Sequence, residues 1–243
     1  MKINLIIFFI SLLFVSEGFS DTPAEKPTAT WMNINGNWTI TNGKLAQMQP
    51  RSIRWEYHEL MNYNTVVTIN PVAQFSELSF TSKIYNPGQD MTAEFMVPFA
   101  VTSPKQHYYY NFLAFKFAGD EKKISRISLI KSERKDPSKP FTEKNNFTIT
   151  EIASARCNIP YCKRLKCSIT FSDGSAILKV NRKKMLEAPI PADHSGKVGF
   201  AARNIRISID DVKVLKGDEI LLSDDFSSDT LYVPTVKIKR TRE

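Results

Sequence analysis

The stretch GKVGFAARNIRISIDDVKVLKG, residues 196–217, contains the pattern that decides the fold. It predicts two long β-strands, because apolar side chains alternate with polar ones over short runs that glycine bounds. In the second strand the apolar residues occupy positions 205, 207 and 209, and then positions 212 and 214. This change of parity at Asp210-Asp211 predicts a β-bulge, which keeps these apolar side chains on one face of the sheet.

Similar alternating runs recur along the chain and are separated by turn residues. Asn42-Gly43, in NWTITNGKLAQM, is a strong hairpin signal. The runs FSELSFTSKI, TAEFMVPF and HYYYNFLAFKFAG predict further strands, and in the last run Leu113, Phe115 and Phe117 are predicted to face the core. The whole pattern predicts an all-β fold in which two antiparallel sheets pack as a sandwich.

The N-terminus has the features of a secretory signal peptide. Lys2 is followed by a mainly apolar run up to Val15, and then by the small residues Ser16, Gly18 and Ser20. This run is too short to span a bilayer, which needs about 20 residues. We therefore expect an exported protein, located in the periplasm or outside the cell.

The rest of the chain is expected to hold one folded unit. We predict a signal peptide at residues 1–20, a polar leader at 21–30 and a single β-sandwich domain at 31–243. The net charge of +8 favours an acidic partner such as an anionic polysaccharide, a lipid headgroup or an acidic protein surface. Nucleic acid is a poor candidate for an exported protein, and we expect no membrane span.

Three segments of the chain occur in a recognisable order, namely GNWTITNGKLAQ, ITFSDGSAILKVNRKKM and SGKVGFAARNIRISIDDVKVLK. Together they resemble the concanavalin A-like, or laminin G-like, jelly-roll modules of secreted bacterial proteins. These modules include relatives of family 16 glycoside hydrolases and of keto-disaccharide hydrolase domains. The resemblance implies two curved antiparallel sheets and a concave face on which relatives bind glycans. It does not imply catalysis.

One segment departs from the order that is usual in such modules. The phrase DDFSSDTL normally lies just ahead of the Trp-containing strand, but here it occupies Asp224–Leu231, after the closing strand. It therefore either pairs beside Trp31 within the same domain or is offered to a neighbouring molecule. The second alternative would make the protein an assembly subunit that works by strand addition.

Aromatic side chains on one predicted face form the candidate glycan site. Tyr108, Tyr110 and Phe112 lie opposite the core-facing positions of their strand, and Trp55 is a further candidate. Aromatic faces stack on sugar rings, and tyrosine hydroxyls form hydrogen bonds with sugar hydroxyls. The same side chains equally fit a packing role beneath a loop.

Basic side chains accompany this face. Lys116 shares it, and Lys116 and Arg203 are predicted to contact an anionic ligand. Basic clusters, among them Lys163–Lys166, would form rims around the face. A cluster of this kind also fits a solvated turn or a guard on an edge strand.

The sequence favours a protein without catalytic activity or a cofactor. A retaining glycosidase of the family 16 type would need two carboxylates about 5 Å apart, usually from a Glu-x-Asp-x-x-Glu strand, and that spacing does not occur. The histidines at positions 58, 107 and 194 are too far apart for metal spacing and are expected in loops or at the surface. Four aspartates could supply oxygen ligands to calcium, namely Asp210, Asp211, Asp224 and Asp225.

The three cysteines stand in CNIPYCKRLKC, residues 157–167. Export places them in an oxidising compartment, and zinc would require a fourth ligand. Cys167 shares strand parity with Ile169 and is predicted to be a free, buried thiol. Cys157 and Cys162 flank NIPY, where Pro160 favours a turn, and they are predicted to form a disulfide.

These observations predict an exported, non-catalytic binding module. It would engage a glycan or another macromolecular surface through a concave aromatic face with basic rims. The first alternative is a structural coat or sheath subunit of a periplasmic filament, such as a periplasmic flagellum. The second alternative is an enzyme of the glycoside hydrolase type.

Overall fold

The computed structural model describes residues 31–48, 63–87, 91–102, 111–136, 138–139, 146–227 and 231. These residues form fifteen β-strands in two antiparallel sheets, and no helix occurs among them. The described part of the chain thus contains no helix that could cross a membrane.

The order of the seven-stranded sheet is β1 (Trp31–Asn35), β4 (Asn64–Thr68), β13 (Gly199–Arg203), β6 (Ala93–Thr102), β7 (Asn111–Gly119), β8 (Lys123–Arg134) and β9 (Phe147–Pro160). The order of the eight-stranded sheet is β12 (Lys183–Pro189), β11 (Ser175–Val180), β10 (Arg164–Ser172), β5 (Glu77–Ile84), β14 (Ile207–Lys216), β3 (Leu45–Gln47) and β2 (Trp38–Ile40), with β15 (Glu219–Asp224) also paired to β14.

The two sheets pack face to face around an aromatic core. The ring centroid of Phe80 on β5 lies 5.2 Å from that of Phe200 on β13. Phe99 on β6 lies 5.1 Å from Phe171 on β10, in an edge-to-face arrangement. Edge-to-face pairs at such distances stabilise a core beyond the area that they bury. The predicted all-β sandwich is confirmed.

Strand alternation was a reliable guide to which side chains are buried. Leu113, Phe115 and Phe117 of β7 face the core, as predicted. Alternate residues of β5 and β6 face it too, namely Leu78, Phe80, Ile84, Ala93, Phe95, Val97 and Phe99. Successive side chains of a strand point to opposite faces, so the residues between these positions lie on the second face of each sheet.

The predicted hairpin at Asn42-Gly43 joins β2 to β3. Asn42 and Gly43 have φ angles of 53° and 65°. Positive φ at both central residues defines a type I′ turn, whose twist matches that of the flanking strands. The backbone N–H of Thr41 donates a hydrogen bond to the carbonyl oxygen of Lys44 at 2.9 Å, which closes the turn.

Strand β14 has the predicted bulge. Asp211 has a φ of 53°, and the register with β5 shifts between Asp210 and Lys213. The bulge lets Ile209 before it and Val212 after it be fully buried in the same core. It also divides the other edge of β14, which pairs first with β3 and then with β15.

The segment that follows β15 returns to the first strand of the same chain. The Trp31 Nε1–H donates a hydrogen bond to Asp224 Oδ2 at 2.6 Å, and the Phe226 N–H donates to Asp224 Oδ1 at 2.6 Å. The Phe226 ring is buried and lies 5.9 Å from the Trp31 ring. Asp224 therefore ends β15 in contact with Trp31 of the same chain, and Asp225–Ser227 do not continue the strand.

We predict that Asp224→Ala lowers the free energy of unfolding by about 2 to 3 kcal/mol, because two buried donors lose a charged acceptor. Urea denaturation followed by tryptophan fluorescence measures the loss. Asp225→Ala is the matched control, since its exposed carboxylate accepts hydrogen bonds from the neighbouring Ser227. Equal losses in the two variants would contradict the proposed role of Asp224.

Candidate functional site

A network of ion pairs occupies the second face of the seven-stranded sheet, opposite the core. Glu94 on β6 lies between Lys116 on β7 and Arg203 on β13. Lys116 Nζ lies 2.6 Å from Glu94 Oε1, and Arg203 Nη2 forms an ion pair with Glu94 Oε2. The Tyr63 hydroxyl donates a hydrogen bond to Glu94 Oε2 at 2.9 Å. The Arg203 guanidinium also lies 4.8 Å from the Tyr63 ring centroid, a cation–π distance.

The network consists of a buried carboxylate and two partly exposed cationic side chains. The Glu94 side chain is 7 % exposed, whereas those of Lys116 and Arg203 are 22 % and 34 % exposed. Burial alone would raise the pKa of the Glu94 carboxyl. The hydrogen bond and charge of Lys116, the charge of Arg203 and the Tyr63 hydroxyl outweigh burial and hold the pKa below its ordinary value of 4.5. Glu94 is therefore a carboxylate at neutral pH.

An apolar cluster surrounds this network. It contains Met32, Val67, Met96, Phe112, Ala114, Ile130 and Ala201, together with the Tyr63 ring, and its members are buried. The second face is thus mainly apolar, with one charged group of side chains near its middle strands. In such surroundings a charge is tolerated only when partners satisfy it, and three side chains satisfy Glu94.

The structure brings together only some of the side chains predicted to bind a ligand. Lys116 and Arg203 meet at Glu94, so part of their charge is neutralised within the chain. Phe112 is on the predicted face but is only 3 % exposed. It packs in the apolar cluster, which matches the packing role that the sequence also allowed. Trp55, Tyr108 and Tyr110 lie outside the described residues.

Sequence reasoning missed Glu94 and Tyr63. The alternation of Ala93, Phe95 and Val97 placed Glu94 on the same face as Lys116, and this signal was available. The sequence contained no signal for the pairing of β6 with β13, on which the contact with Arg203 depends.

The four aspartates considered as calcium ligands have other partners. Asp210 pairs with Lys44, and Asp211 pairs with Arg164. Asp224 accepts a hydrogen bond from Trp31, and Asp225 accepts one from Ser227. Within the described residues no group of three or more acidic, histidine or cysteine side chains is placed to hold a metal ion.

His194 is in a loop, as expected, but the loop buries it. Its imidazole stacks on the Phe171 ring at a centroid distance of 4.6 Å. Its Nε2 lies 2.6 Å from the carbonyl oxygen of Phe75, and because a carbonyl oxygen only accepts, Nε2 is the donor of this hydrogen bond. His194 thus helps to close one end of the core.

The predicted Cys157–Cys162 disulfide is absent, and all three cysteines are free thiols. The physical reason is that Pro160 ends β9 and does not form the centre of a turn. Cys157 therefore stays in the strand, where its thiol lies 3.5 Å from the carbonyl oxygen of Ile124. Cys162 follows in an exposed turn with a φ of 62°. The prediction that Cys167 is free and buried is confirmed.

Comparisons with known proteins bear on the fold. No protein-family model matches the sequence, and no curated relative was found. Among solved structures, the carbohydrate-binding module CBM66 from Bacillus subtilis is similar with a TM-score of 0.52 and 12 % identity, over 76 % of this chain and 95 % of that one. The potassium-bound carbohydrate recognition domain of Emp46p has a TM-score of 0.50 and 9 % identity, over 76 % and 87 % of the two chains. The fold is therefore that of a concanavalin A-like jelly roll.

We predict that Glu94→Gln lowers the free energy of unfolding by about 2 kcal/mol at pH 7, because Lys116 and Arg203 lose their charged partner. The folded-state pKa of Glu94 is depressed, so its contribution is present above pH 4.5 and is lost as the pH falls through the folded-state value. Urea denaturation at pH 7, 4.5 and 3 should therefore show the gap between wild type and variant closing below pH 4.5.

Glu133→Gln is the control for this experiment. Glu133 pairs with Lys131 on the protein surface, where both side chains are largely exposed. Surface pairs contribute little to stability, so this variant should follow the wild type throughout. A gap for Glu94→Gln that stays constant down to pH 3 would refute the assigned role.

The thiols give a further prediction. Burial raises the pKa of Cys167 to about 12 and also raises the pKa of Cys157, whereas Cys162 is exposed. With a thiol reagent at pH 8, Cys162 should react first, Cys157 more slowly and Cys167 only after unfolding. Peptide mass mapping assigns each site. If the denatured protein has one reactive thiol instead of three, the Cys157–Cys162 disulfide exists and the assignment is wrong.

Proposed function

We propose that this chain is an exported, non-catalytic protein that binds a glycan at Lys116 and Arg203, the partly exposed side chains of the Glu94 network on the otherwise largely buried second face of its seven-stranded sheet. The observation that carries the proposal is the network at Glu94, in which two partly exposed cationic side chains are held in place by a buried carboxylate. Export is supported by the signal-peptide pattern of residues 1–20.

The chemistry of the network suits sugar hydroxyls and anionic sugar substituents. A lysine has three N–H donors and an arginine has five, so Lys116 and Arg203 keep donors that Glu94 does not use. The ion pairs hold both side chains in position before a ligand arrives, which lowers the entropic cost of binding. The Tyr63 ring orients the guanidinium from one side.

The same network argues against a role in glycoside hydrolysis. A glycosidase needs a protonated acid and a second carboxyl group, about 5 Å away in a retaining enzyme and about 6.5 to 9.5 Å away in an inverting one. The lowered pKa keeps Glu94 ionised, so it is a poor general acid. The other buried acid of the described residues, Asp224, accepts a hydrogen bond from Trp31. A binding role makes use of an ionised, paired Glu94, whereas this form of catalysis does not.

Two solved structures with this fold support a glycan as the class of ligand. One structure that shares the fold is described as a carbohydrate-binding module and another as a carbohydrate recognition domain. Tyr108, Tyr110 and Trp55 remain the predicted stacking residues, and the alternation of the sequence predicts that the two tyrosines share the face of Lys116. The high net charge makes anionic polysaccharides the first class to test.

A glycan array probed with the mature chain tests the proposal. We expect binding to a subset of acidic glycans, and we expect Arg203→Met and Tyr108→Ala each to weaken it by at least about tenfold, the loss of one charged or stacking contact. Lys213→Met is the matched control, because this residue lies on the eight-stranded sheet. Circular dichroism verifies that each variant is folded.

Lack of retention on any glycan, together with recovery of a stoichiometric protein partner from the native envelope, would refute the glycan proposal. Equal loss in Lys213→Met and Arg203→Met would refute the assigned face.

A further inference from the structure

Strand β9 is the outermost strand of the seven-stranded sheet, next to β8. At 14 residues it is longer than any other described strand. Within the described part of the chain no strand pairs with its outer side. Its backbone N–H and C=O groups on that side therefore form a row that a further strand could pair with.

The side chains of β9 do little to protect this edge. Residues 147–155, FTITEIASA, contain a single charged residue and are rich in threonine and isoleucine, which favour strands. Ile149 is 39 % exposed, which is unusual for a large apolar residue in the described chain. By contrast, β1 and β2 are short, and the edge strand β12 carries Lys183, Lys184 and Glu187.

A bulge at Ile152 of β9 determines which side chains share a face. Leu129 of β8 is opposite Ala153, but the next residue, Ile130, is opposite Glu151, so Ile152 has no partner in the register. Ser154 is opposite Ser128 and Arg156 is opposite Arg126. Glu151, Ser154 and Arg156 consequently lie on one face, the second face of the sheet.

The charges on that face are unbalanced within one chain. Arg126 Nη2 forms an ion pair with Glu151 Oε1 at 2.5 Å, whereas Arg156 has no ion-pair partner among the described residues. Arg156 is also directly opposite Arg126, and like charges in this arrangement are unfavourable. An acidic side chain arriving along the free edge would relieve this repulsion.

We propose that two copies of this chain associate by antiparallel pairing of their β9 strands, around a two-fold axis at Ser154. The bulge leaves Ile152 of each copy without a place in the register. In this register Glu151 of each copy is therefore opposite Arg156 of the other, which gives two equivalent interchain ion pairs. Ser154 is opposite its own symmetry mate. The interface is isologous, as a two-fold axis requires.

Charge selects this register over its neighbours. An axis at Glu151 would place two carboxylates opposite each other, and an axis at Arg156 would do the same with two guanidinium groups. An axis midway between Glu151 and Ser154 would leave both charges opposite uncharged side chains. The Ser154 axis alone among these pairs each charge with its opposite, and it joins two seven-stranded sheets into one continuous sheet.

Disulfide trapping tests the axis directly. Ser154→Cys is introduced together with Cys162→Ser, which removes the exposed native thiol. Residues directly opposite in antiparallel strands have Cα atoms about 4.5 to 5.5 Å apart, within the range of a disulfide. Ile149→Cys in the same background is the matched control, since it is exposed on the same face but roughly 25 Å from its symmetry mate.

Mild oxidation should convert most of the Ser154→Cys protein to a covalent dimer and leave the Ile149→Cys protein monomeric on a non-reducing gel. A Ser154→Cys protein that stays monomeric would overturn the proposal. Equal cross-linking of the two variants would overturn it as well, because the axis would then be elsewhere. Circular dichroism shows whether both variants are folded.

Charge exchange is a second test that needs no cysteine. Sedimentation velocity should show that Arg156→Glu raises the dimer dissociation constant about tenfold, since each of two ion pairs becomes a repulsion. The double variant E151R/R156E should return to within about twofold of the wild type, because the opposite charges meet again.

Arg126→Gln is the control for this series, because it removes the intrachain partner of Glu151 but leaves both interchain residues. Its dimer dissociation constant should change much less than that of Arg156→Glu. A wild-type protein that stays monomeric at all concentrations, or a double variant as weak as Arg156→Glu, would contradict the pairing.

Discussion

The two-residue period of the β-strand, combined with the need to bury one face of each sheet, governs this protein. Every strand of the sandwich presents alternate side chains to an aromatic core between the sheets. In a long strand, a bulge can restore the alternation of buried and exposed side chains at the point where the neighbouring strand changes. The bulge at Asp210-Asp211 makes that correction on β14, which then pairs with β5, β3 and β15.

The same constraint creates the candidate site. Because Phe95 and Phe117 must face the core, Glu94 and Lys116 must point the other way. The second face of the sheet is itself largely buried and apolar, so Glu94 is stable there only with partners around it. The outcome is a fixed carboxylate with two cationic side chains that are still accessible, an arrangement better suited to binding than to proton transfer.

Edges are the other consequence of an open sandwich. A closed barrel pairs every strand twice, but two packed sheets leave terminal strands that must be short, charged or covered. Here the C-terminal turn at Asp224–Phe226 is anchored on Trp31 of the same chain. The long edge at β9 is where a second copy fits best, and a dimer of this kind would carry two Glu94 networks on one continuous sheet.

The all-β class, the hairpin at Asn42-Gly43, the bulge on β14 and the burial of Cys167 were predictable from the sequence. Each depends on residues that are close together in the chain, so local periodicity and turn chemistry are enough. Phe112 shows the limit of such reasoning, because parity placed it on the correct face but could not show that it is buried there.

Only the tertiary structure decided which strands lie side by side. The contact of Glu94 with Arg203 requires β6 to pair with β13, more than a hundred residues away in the chain. The absence of the Cys157–Cys162 disulfide has a similar origin, because pairing with β8 keeps β9 extended through Pro160 where local sequence favoured a turn. Strand alternation is a local property of the chain, whereas register is determined by the packing of the whole sandwich, and the candidate site depends on register.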